Sequence, residues 1–325
     1  MKNPIVRITD CDHESVDVEM KLLSEFSDDN TLLNCKTEEE LIEQCKGVQG
    51  VINQYAPFTR RVLGQLKDLK VIVRYGVGVD NIDLEAASEF GIQICNVPDY
   101  GTNEVADHAI SLMMALTRKV VAMNAQVKNG VWDYQKSIPI YRLQEQTVGI
   151  IGLGRIGSAF AKKAHGLGMK VIGCELPSQE KKVPEFLKLV SFQELLEKSD
   201  VISIHTPLNE QTRNLFAEEE FQNMKSNAYI INTARGGIIN EHALDRALTE
   251  KWIAGAALDV LEKEPAEKNF PLLKHENFIC TPHMGWYSEQ AYKELKRKAA
   301  EEVINVLSGK EPRYPVNKIM SQMNY

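Results

Sequence analysis

The sequence predicts an α/β protein built from two doubly wound parallel sheets. Short apolar runs rich in Val and Ile alternate with helical patterns over the first hundred residues. A long helical pattern follows, and the same alternation starts again at Thr147 and continues to His283. Strands separated by helices pair in parallel, and the helices cover both faces of the sheet. The length of 325 residues also suits about two domains.

The N-terminal part is predicted to be an α/β unit in its own right. Its predicted strands are 5–9, 50–53, 71–76 and 92–97, and its predicted helices are 37–47, 59–69 and 83–91. Thr37 and Glu40 form a Thr-x-x-Glu capping box at the start of the first helix. Gly91 ends the third helix, as glycine commonly does.

The second alternating half follows a long helix and an irregular segment. The sequence predicts one helix over 104–130 and then, over 131–146, an aromatic excursion interpreted as a subunit contact. The predicted strands are then 147–152, 170–175, 200–207, 228–234, 253–260 and 278–283, with helices at 157–168, 191–199 and 288–309. No repeat or flexible linker interrupts this order.

Composition excludes several classes of protein. Apolar residues at 43% and charged residues at 26% are ordinary for a globular chain, and the net charge of −7 argues against a nucleic-acid partner. The six cysteines form no Cys-x-x-Cys pair and no metal spacing, so free thiols and no metal are expected. No stretch resembles a signal peptide or a membrane span. We therefore expect a cytoplasmic protein with no membrane partner.

A glycine fingerprint predicts a dinucleotide site. "GLGRIG" places Gly152, Gly154 and Gly157 directly after a predicted strand and before a helix, the context that gives this motif its weight. The three glycines permit, in turn, a tight turn, close approach of a pyrophosphate and close helix–strand packing. The N-terminus of the following helix then offers unpaired N–H groups to the phosphates.

The following strand ends in an acid that favours NAD as the cofactor. Glu175 lies 23 positions beyond Gly152, close to the expected spacing of roughly 20, where a carboxylate accepts hydrogen bonds from the ribose hydroxyls. Such a carboxylate repels a 2′-phosphate, although a strand-end Glu can also simply face solvent. Ser178, Lys181 and Lys182 follow closely and can accommodate a phosphate, so NADP stays open as an alternative.

Three later strands end in residues suited to acid–base chemistry. Arg235 in "NTARGG", Asp259 and Glu264 in "LDVLEKEP", and His283 in "TPHMGW" each follow a predicted strand. An arginine can bind a substrate carboxylate, an acid can tune a neighbouring histidine, and the histidine can exchange a proton. Taken singly, loop arginines usually form surface ion pairs and isolated histidines are usually structural. Their shared position at one edge of a nucleotide-binding sheet favours a joint catalytic role.

These motifs together resemble a known family. "GLGRIG", "NTARGG", "ALDV" with its following Glu-Pro, and "TPHMGW" are similar in order and spacing to D-isomer-specific 2-hydroxyacid dehydrogenases, across essentially the whole chain. "WYSEQA", "VRYGVGVDNID" and "CNVP" most resemble the C-terminal binding protein branch, whose eukaryotic members are transcriptional corepressors. Phosphoglycerate, glycerate and glyoxylate/hydroxypyruvate dehydrogenases are similar as well.

The resemblance implies how the domains are arranged. A flavodoxin-like substrate domain would comprise 1–101 and 287–325, and a Rossmann NAD-binding domain, 102–286, would be inserted into it. The active site would lie in the cleft between these domains. The long helix and the aromatic segment, about 102–146, predict a homodimer, because two-fold symmetry is the commonest assembly.

The resemblance also implies a role for each site residue. His283 would be the acid/base, Glu264 would keep it protonated, and Arg235 would bind the carboxylate of the substrate. Residues implied to bind the cofactor are Gly152, Leu153, Gly154, Arg155, Ile156, Gly157, Glu175, His205, Thr206, Pro207, Thr212, Thr233, Ala234 and Asp259, with Asp259 meeting the nicotinamide amide. Residues implied to bind the substrate are Arg74, Tyr75, Gly76, Val77, Gly78 and Trp286, the three at 76–78 through a nest of main-chain N–H groups.

The sequence thus predicts an NAD-dependent dehydrogenase of a small D-2-hydroxy or 2-oxo acid. One alternative is an NAD(H)-sensing, corepressor-like scaffold that binds peptides; the intact Arg235, Glu264 and His283 argue against it, as does the end of the chain at Tyr325 without a long tail. The other alternative is a dehydrogenase of another small acid such as formate. Two departures from the family pattern are Glu175-Leu176-Pro177, which lengthens the acidic arm, and Met284-Gly285 after the histidine.

Overall fold

The chain folds into two compact units. The structure, a computed structural model, describes residues 3–176 and 182–319. The first unit is Met1–Tyr100 with Ser288–Tyr325, and the second unit is Gly101–Tyr287. The boundaries expected from the sequence lie one residue away from these.

The strands and helices alternate along most of the chain. The strands are β1 (Ile5–Ile8), β2 (Asp29–Leu32), β3 (Gly50–Asn53), β4 (Val71–Arg74), β5 (Gln93–Cys95), β6 (Thr147–Ile151), β7 (Lys170–Cys174), β8 (Leu187–Leu189), β9 (Val201–Ile204), β10 (Tyr229–Asn232), β11 (Gly255–Leu258) and β12 (Phe278–Cys280). The helices are α1 (Asp17–Ser24), α2 (Glu38–Gln44), α3 (Arg60–Gln65), α4 (Leu84–Glu89), α5 (Thr102–Thr117), α6 (Val120–Lys128), α7 (Arg155–Gly166), α8 (Phe192–Lys198), α9 (Glu218–Asn223), α10 (Glu241–Thr249) and α11 (Glu289–Leu307).

The first unit holds a parallel sheet in the strand order β2-β1-β3-β4-β5. This is the flavodoxin-like order, so the predicted fold of this part is confirmed. Helix α11 packs closely on the sheet because Gly50 has no side chain: a Cβ there would lie 2.8 Å from side-chain carbons of Val303 and Leu307. The C-terminal helix thereby completes the core of the first unit.

Local signals in the first unit act as the sequence predicts. The Thr37 hydroxyl accepts a hydrogen bond from the main-chain N–H of Glu40, and the Glu40 carboxylate accepts one from the N–H of Thr37. Gly91 follows α4 at φ +72°, in the left-handed region where glycine is favoured. The sequence did not predict α1 and β2. Strand β2 is mostly exposed and has no apolar alternation, so its pattern carries no strand signal.

The second unit holds a seven-stranded parallel sheet, ordered β12-β11-β10-β9-β6-β7-β8. Counted from β6, this is the Rossmann order extended by one strand, which confirms the predicted fold class. One apolar cluster joins the sheet to α5 and α7 through residues such as Leu112 and Phe160. A second cluster joins the opposite face to α8, α9 and α10 through Leu195, Phe221 and Leu244.

The single helix predicted over 104–130 is wrong, because the structure has two. Helix α5 ends at Thr117 and α6 starts at Val120, and Lys119 between them has φ +53°. A left-handed residue cannot continue an α-helix. The following segment, 131–146, contains two short 3₁₀ turns, and its Trp132 and Tyr134 side chains are 88% and 77% exposed.

All six cysteines are free thiols. Burial raises the pKa of Cys35 to about 11 and that of Cys45 to about 12, so these thiols are protonated and unreactive at neutral pH. Across the described parts of the chain, no helix has the length and apolar character needed to cross a membrane.

Candidate active site

The candidate catalytic residues lie at one edge of the second sheet. Arg235 follows β10, Glu264 follows β11 and His283 follows β12, and these three strands are neighbours in the sheet. Carboxyl ends of parallel strands meet at the same edge, which is where α/β sheets bind ligands. The structure therefore groups the three residues as their positions in the sequence predict.

The glycine turn between β6 and α7 is closely packed on its neighbours. Gly152 has φ +85°, and a Cβ there would lie 2.8 Å from the carbonyl oxygen of His205. A Cβ on Gly157 would lie 2.0 Å from the carbonyl oxygen of Gly152, so helix α7 contacts the turn directly. Among the described residues, no atom lies within 4 Å of a Cβ built on Gly154, and this N-cap residue has no side chain with which to cap the helix. The first N–H groups of α7 can therefore face a ligand.

Glu175 is held beside this turn. Its Oε1 accepts a hydrogen bond from the main-chain N–H of Leu153 at 3.1 Å. The half-buried carboxylate thus lies next to the glycine fingerprint, where a ribose-binding acid is expected. Of the residues that could accommodate a 2′-phosphate, Ser178 and Lys181 lie outside the described residues.

The loop after β9 packs against the glycine turn, since the main chain of His205 lies next to Gly152. Burial lowers the pKa of His205 to about 3, so its imidazole is neutral; its Nε2 lies 2.8 Å from the Ser203 hydroxyl, and its ring contacts Phe160. The Thr212 hydroxyl donates to the carbonyl of Pro207 at 2.7 Å. These side chains help to hold the loop in place, and the contact of His205 and Thr212 with the cofactor stays a prediction.

The turn after β10 leaves a buried hydroxyl unsatisfied. Within residues 3–176 and 182–319, Thr233 Oγ1 is buried and has no hydrogen-bond partner. Leaving a buried hydroxyl unpaired costs about 1–3 kcal/mol, so a ligand that bonds to it is stabilised. Asn232, which sequence reasoning missed, fixes this turn by accepting from the N–H of Ala234 and donating to the carbonyl of Arg235. The open glycine turn and the unsatisfied Thr233 both fit a bound dinucleotide.

Glu264 and His283 form a hydrogen-bonded acid–base pair. His283 Nδ1 lies 2.8 Å from Glu264 Oε2, and the side chains are 33% and 35% exposed, respectively. Glu264 Oε1 accepts a hydrogen bond from the N–H of Leu261 at 2.9 Å, which fixes the carboxylate. Because Nδ1 is engaged by the carboxylate, Nε2 is the nitrogen that can exchange a proton with a substrate.

The Glu264 carboxylate is held in its charged form. Burial pushes its pKa up, but the hydrogen bonds and the charge of His283, with the N–H of Leu261, outweigh burial and lower the pKa overall. Glu241 nearby behaves differently: burial raises its pKa, and it accepts a hydrogen bond from the N–H of Glu262 at 2.6 Å. Glu264 is therefore the carboxylate suited to stabilise a protonated imidazole.

Close main-chain packing fixes Arg235 relative to Glu264. A Cβ on Gly236 would lie 2.0 Å from the carbonyl oxygen of Leu261, so the loop after β10 lies directly against the loop after β11. The half-buried Arg235 donates from Nη1 to the carbonyl of Ala234 at 2.7 Å. Gly236 is thus needed for the contact between the two loops that carry the candidate residues.

The Asp259 carboxylate accepts its hydrogen bonds from the loop that carries His283. Its side chain is 3% exposed, and Oδ1 accepts from the Thr281 hydroxyl at 2.6 Å and from the N–H of Met284 at 3.0 Å. Oδ2 accepts from the N–H of Gly285 at 2.8 Å. Contact with a nicotinamide amide therefore uses at most the remaining acceptor capacity of this carboxylate.

The segment 74–78 of the first unit has features of an anion cradle. Gly76 has φ +106°, and a Cβ there would lie 2.3 Å from Arg74 Nη1. The carbonyl of Gly76 accepts from the N–H of Val97, and that of Val77 accepts from the Asn96 side chain. These oxygens are therefore drawn toward 96–97, which leaves a main-chain turn bordered by an arginine.

The Tyr75 side chain lies in the interior of the first unit. It is 2% exposed, and its hydroxyl donates to the Glu19 carboxylate, which also contacts Lys296 Nζ at 3.2 Å. Only the main chain of Tyr75 can therefore contribute to substrate binding, a restriction that the motif did not indicate. In the second unit, Trp286 is half-buried and its ring meets that of Tyr287 edge-on at 5.6 Å.

Comparisons with known proteins point to one family. The family model described as D-isomer specific 2-hydroxyacid dehydrogenase, NAD binding domain, matches residues 110–285. The chain is 41% identical to the D-3-phosphoglycerate dehydrogenase of Methanocaldococcus jannaschii over 96% of this chain and 59% of that protein. It is 39% identical to the glyoxylate reductase of Thermofilum pendens over 79% of this chain and 77% of that protein.

A solved structure is similar across nearly the whole chain. The D-lactate dehydrogenase of Aquifex aeolicus complexed with NAD and lactic acid superposes with a TM-score of 0.85 and 27% identity, covering 94% of this chain and 96% of that one. The protein belongs to the D-isomer-specific 2-hydroxyacid dehydrogenase family, and its second unit contains the NAD-binding domain of that family. It spans 59% of the length of the phosphoglycerate dehydrogenase that it matches.

Proposed function

We propose that the protein is an NAD-dependent oxidoreductase that transfers a hydride between nicotinamide and C2 of a small D-2-hydroxy or 2-oxo acid. The observation that carries this proposal is the Glu264–His283 hydrogen bond of 2.8 Å at the edge of a dinucleotide-binding sheet. A histidine paired with an acid that stays charged is suited to proton exchange with an alcohol or carbonyl oxygen. Family membership supports the same reaction.

In the reducing direction, C2 of the substrate would receive a hydride that NADH supplies when it is bound. Negative charge then develops on the substrate oxygen, and His283 donates a proton to it from Nε2. Glu264 stabilises the protonated imidazole before the transfer and fixes its orientation. Arg235, one strand away from Glu264, pairs with the substrate carboxylate and polarises the 2-oxo group.

The remaining site residues suit binding and positioning. Main-chain N–H groups of Gly76, Val77 and Gly78, with Arg74, would bind the substrate carboxylate, since successive N–H groups in a turn form an anion nest. In the second unit, Trp286 would contact the substrate and Thr233 the nicotinamide. Glu175 would bind the ribose, so NAD is preferred over NADP.

A substrate screen tests the proposal. A panel of 2-oxo acids, with formate assayed in the oxidising direction, is offered with NADH or NADPH or their oxidised forms, and the nicotinamide absorbance is followed. We expect reduction of at least one small 2-oxo acid, strongly weakened in Arg235→Gln. Arg246→Gln is the matched control, because Arg246 pairs with Glu218 on the surface of the same unit. Absence of reduction with every acid, or oxidation of formate alone, would overturn the proposal.

The corepressor-like scaffold is not favoured. The named relatives are enzymes, and the half-exposed Glu264–His283 pair is intact. Peptide binding without turnover in the screen would revive this alternative.

We also propose that the protein is a homodimer through residues of about 102–146. Exposed apolar side chains in this part of the chain include Trp132, Tyr134, Ile138, Val120 and Val121. Exposed patches of this kind mark protein interfaces, and a second copy with two-fold symmetry is the commonest partner. Light scattering at micromolar concentration should give the dimer mass, and Trp132→Ser with Tyr134→Ser should shift it toward the monomer. A monomeric parent protein contradicts this proposal.

The six free thiols support a reducing, cytoplasmic location. Protein isolated from its source under alkylating conditions should therefore carry six alkylated cysteines after unfolding.

A further inference from the structure

A second histidine of the same unit contacts the loop that carries His283. His108 lies on α5, and its Nε2 is 2.9 Å from the Thr281 hydroxyl and 3.4 Å from Asp259 Oδ1. The His108 side chain is 17% exposed, so the contact is largely shielded from water. Neither the fingerprint nor the motifs around His283 indicate this contact, because 173 residues separate His108 from Thr281.

The direction of these hydrogen bonds follows from the donors available. The Thr281 hydroxyl has one proton, and it donates this proton to the Asp259 carboxylate at 2.6 Å. Thr281 Oγ1 must then accept from His108, so His108 carries its proton on Nε2. The chain of donors runs from His108 through Thr281 to Asp259.

Asp259 in turn holds the main chain on both sides of His283. Its carboxylate accepts from Thr281 before the histidine and from the N–H groups of Met284 and Gly285 after it. The carbonyl of Asp259 accepts from the N–H of His283 itself at 2.8 Å. His283 has φ +53°, in the left-handed region that residues other than glycine adopt uncommonly, and these hydrogen bonds hold it there.

Gly285 packs so closely against Asp259 and His108 that a side chain at this position would not fit without a shift of its neighbours. A Cβ on Gly285 would lie 2.9 Å from Asp259 Oδ2 and 3.3 Å from His108 Cδ2. The glycine after Met284, a departure from the usual pattern of the family, is thus explained by the neighbouring His108 and Asp259.

We propose that His108 is a positioning residue for His283: through Thr281 and Asp259 it fixes the left-handed main chain that aims the acid/base. This inference rests on the proposed function for its catalytic consequence, but the structural link can be measured without catalysis. Small displacements of a catalytic group lower turnover steeply, whereas substrate and cofactor binding need not change.

The structural test is amide hydrogen exchange in the full-length protein without added cofactor. In His108→Leu, which has no donor, the amides of Met284 and Gly285 should exchange faster than in the parent protein. In His108→Gln, which keeps a donor of similar reach, most of the protection should return. His275→Gln is the matched control, since His275 pairs with Asp245 at 2.8 Å elsewhere in the second unit and should leave both amides unchanged.

The catalytic test uses the same variants. We expect His108→Leu to lower kcat by about 10- to 100-fold with little change in KM or NADH affinity, and His108→Gln to recover most of it. If His108→Leu does not fold, Thr281→Val takes its place as the variant without the hydrogen-bonding group, and Thr281→Ser is the variant that keeps it. We then expect Thr281→Val to show the faster exchange and lower kcat predicted for His108→Leu. Unchanged exchange in His108→Leu, or in Thr281→Val where the former does not fold, overturns the inference. If the parent protein shows no reductase activity, the proposed function fails, and the exchange data alone decide the positioning role.

Discussion

The two sheets place carboxylates at the same kind of edge but use them differently. In the first unit Asp10 follows β1, is buried, and accepts hydrogen bonds from the N–H groups of Gln54, Tyr55 and Ala56 and from the Asn53 side chain. In the second unit Glu264 follows β11, is about one-third exposed, and shares its acceptors between one main-chain N–H and His283.

This difference separates structural from chemical carboxylates. Within the described part of the chain, Asp10 accepts hydrogen bonds from the Thr9 hydroxyl and from residues 53–56, so its role is to stabilise that loop. Glu264 uses one oxygen to stay fixed and the other to hold an accessible imidazole. Position at the carboxyl end of a strand is therefore not enough to assign a function to a carboxylate. The groups that donate hydrogen bonds to the carboxylate indicate whether its role is structural or chemical.

Removing the imidazole of His283, at the edge of the sheet in the second unit, should give the largest effect on turnover. His283→Ala should lower turnover by about 10²- to 10⁴-fold, the usual share of general acid–base catalysis, while NADH binding stays largely intact. His165→Ala is the control, because His165 stacks on Phe186 at the end of α7. Steady-state kinetics and NADH fluorescence titration measure the two quantities. Turnover within a few-fold of the parent rate would remove His283 from the mechanism.

The acid beside the glycine turn should set cofactor choice. We expect kcat/KM to favour NADH over NADPH by at least about tenfold, because Glu175 would face the 2′-phosphate with like charge. Glu175→Ala should reduce this preference by removing the repulsion. Equal efficiency of the parent protein with both cofactors would show that the residues after Glu175 accommodate the phosphate.

The carboxylate of Asp10, which follows β1 in the first unit, should affect the stability of the fold. Asp10→Ala leaves several buried N–H groups unpaired, so the free energy of unfolding should fall by about 1–3 kcal/mol in urea titrations. Asp29→Ala is the control, because the Asp29 side chain is 53% exposed and pairs with Arg7 on the surface. NADH affinity should be the same in both variants. A loss no larger than that of Asp29→Ala would contradict the structural role.

Each unit also contains a buried histidine that should weaken the fold in acid. Burial and the charge of Lys296 lower the pKa of His13 from 6.5 to about 4, and burial lowers that of His205 to about 3. Between these values and 6.5 the unfolded chain binds protons that the folded chain does not, so the free energy of unfolding falls as the pH falls. His13→Gln should flatten this dependence between about pH 6.5 and pH 4. A slope identical to that of the parent protein would exclude His13 as a contributor.

Periodicity predicted the central strands of both sheets and one edge strand of each, β5 and β12, but it missed the edge strands β2 and β8. Strands such as β3 and β9 are buried at every residue and mostly apolar, and they are among the strands that the sequence predicted. Strand β2 is mostly polar and largely exposed, and in β8, Leu-Lys-Leu, only Leu187 is buried, so neither strand contains a run of apolar residues. The break between α5 and α6 was missed because Lys119, neither Gly nor Pro, adopts the left-handed conformation.

The candidate site could be predicted to the extent that its residues follow strands. Arg235, Glu264 and His283 could be grouped because parallel strands end at one edge. Contacts between distant segments, such as His108 with Thr281, depend on how helix α5 packs and leave no local signal. The sequence likewise did not show that the side chains of Tyr75 and His205 lie in the protein interior, because a motif gives a residue's position and not the direction of its side chain.

The central claim is that Glu264 and His283 act as one acid–base pair, and the pH dependence of kcat for reduction in Glu264→Gln tests it most directly. Glu262→Gln is the matched control, since Glu262 lies in the same turn with its side chain 58% exposed. Reduction needs the protonated imidazole. Burial raises the pKa of Glu264, but the hydrogen bond and charge of His283 lower it overall, and the same interaction stabilises the protonated imidazole, so Glu264→Gln removes that stabilisation. We therefore predict that the alkaline limb of the profile moves to lower pH in Glu264→Gln and stays in place in Glu262→Gln. An unchanged profile in Glu264→Gln, with chemistry still limiting the rate, would contradict the account.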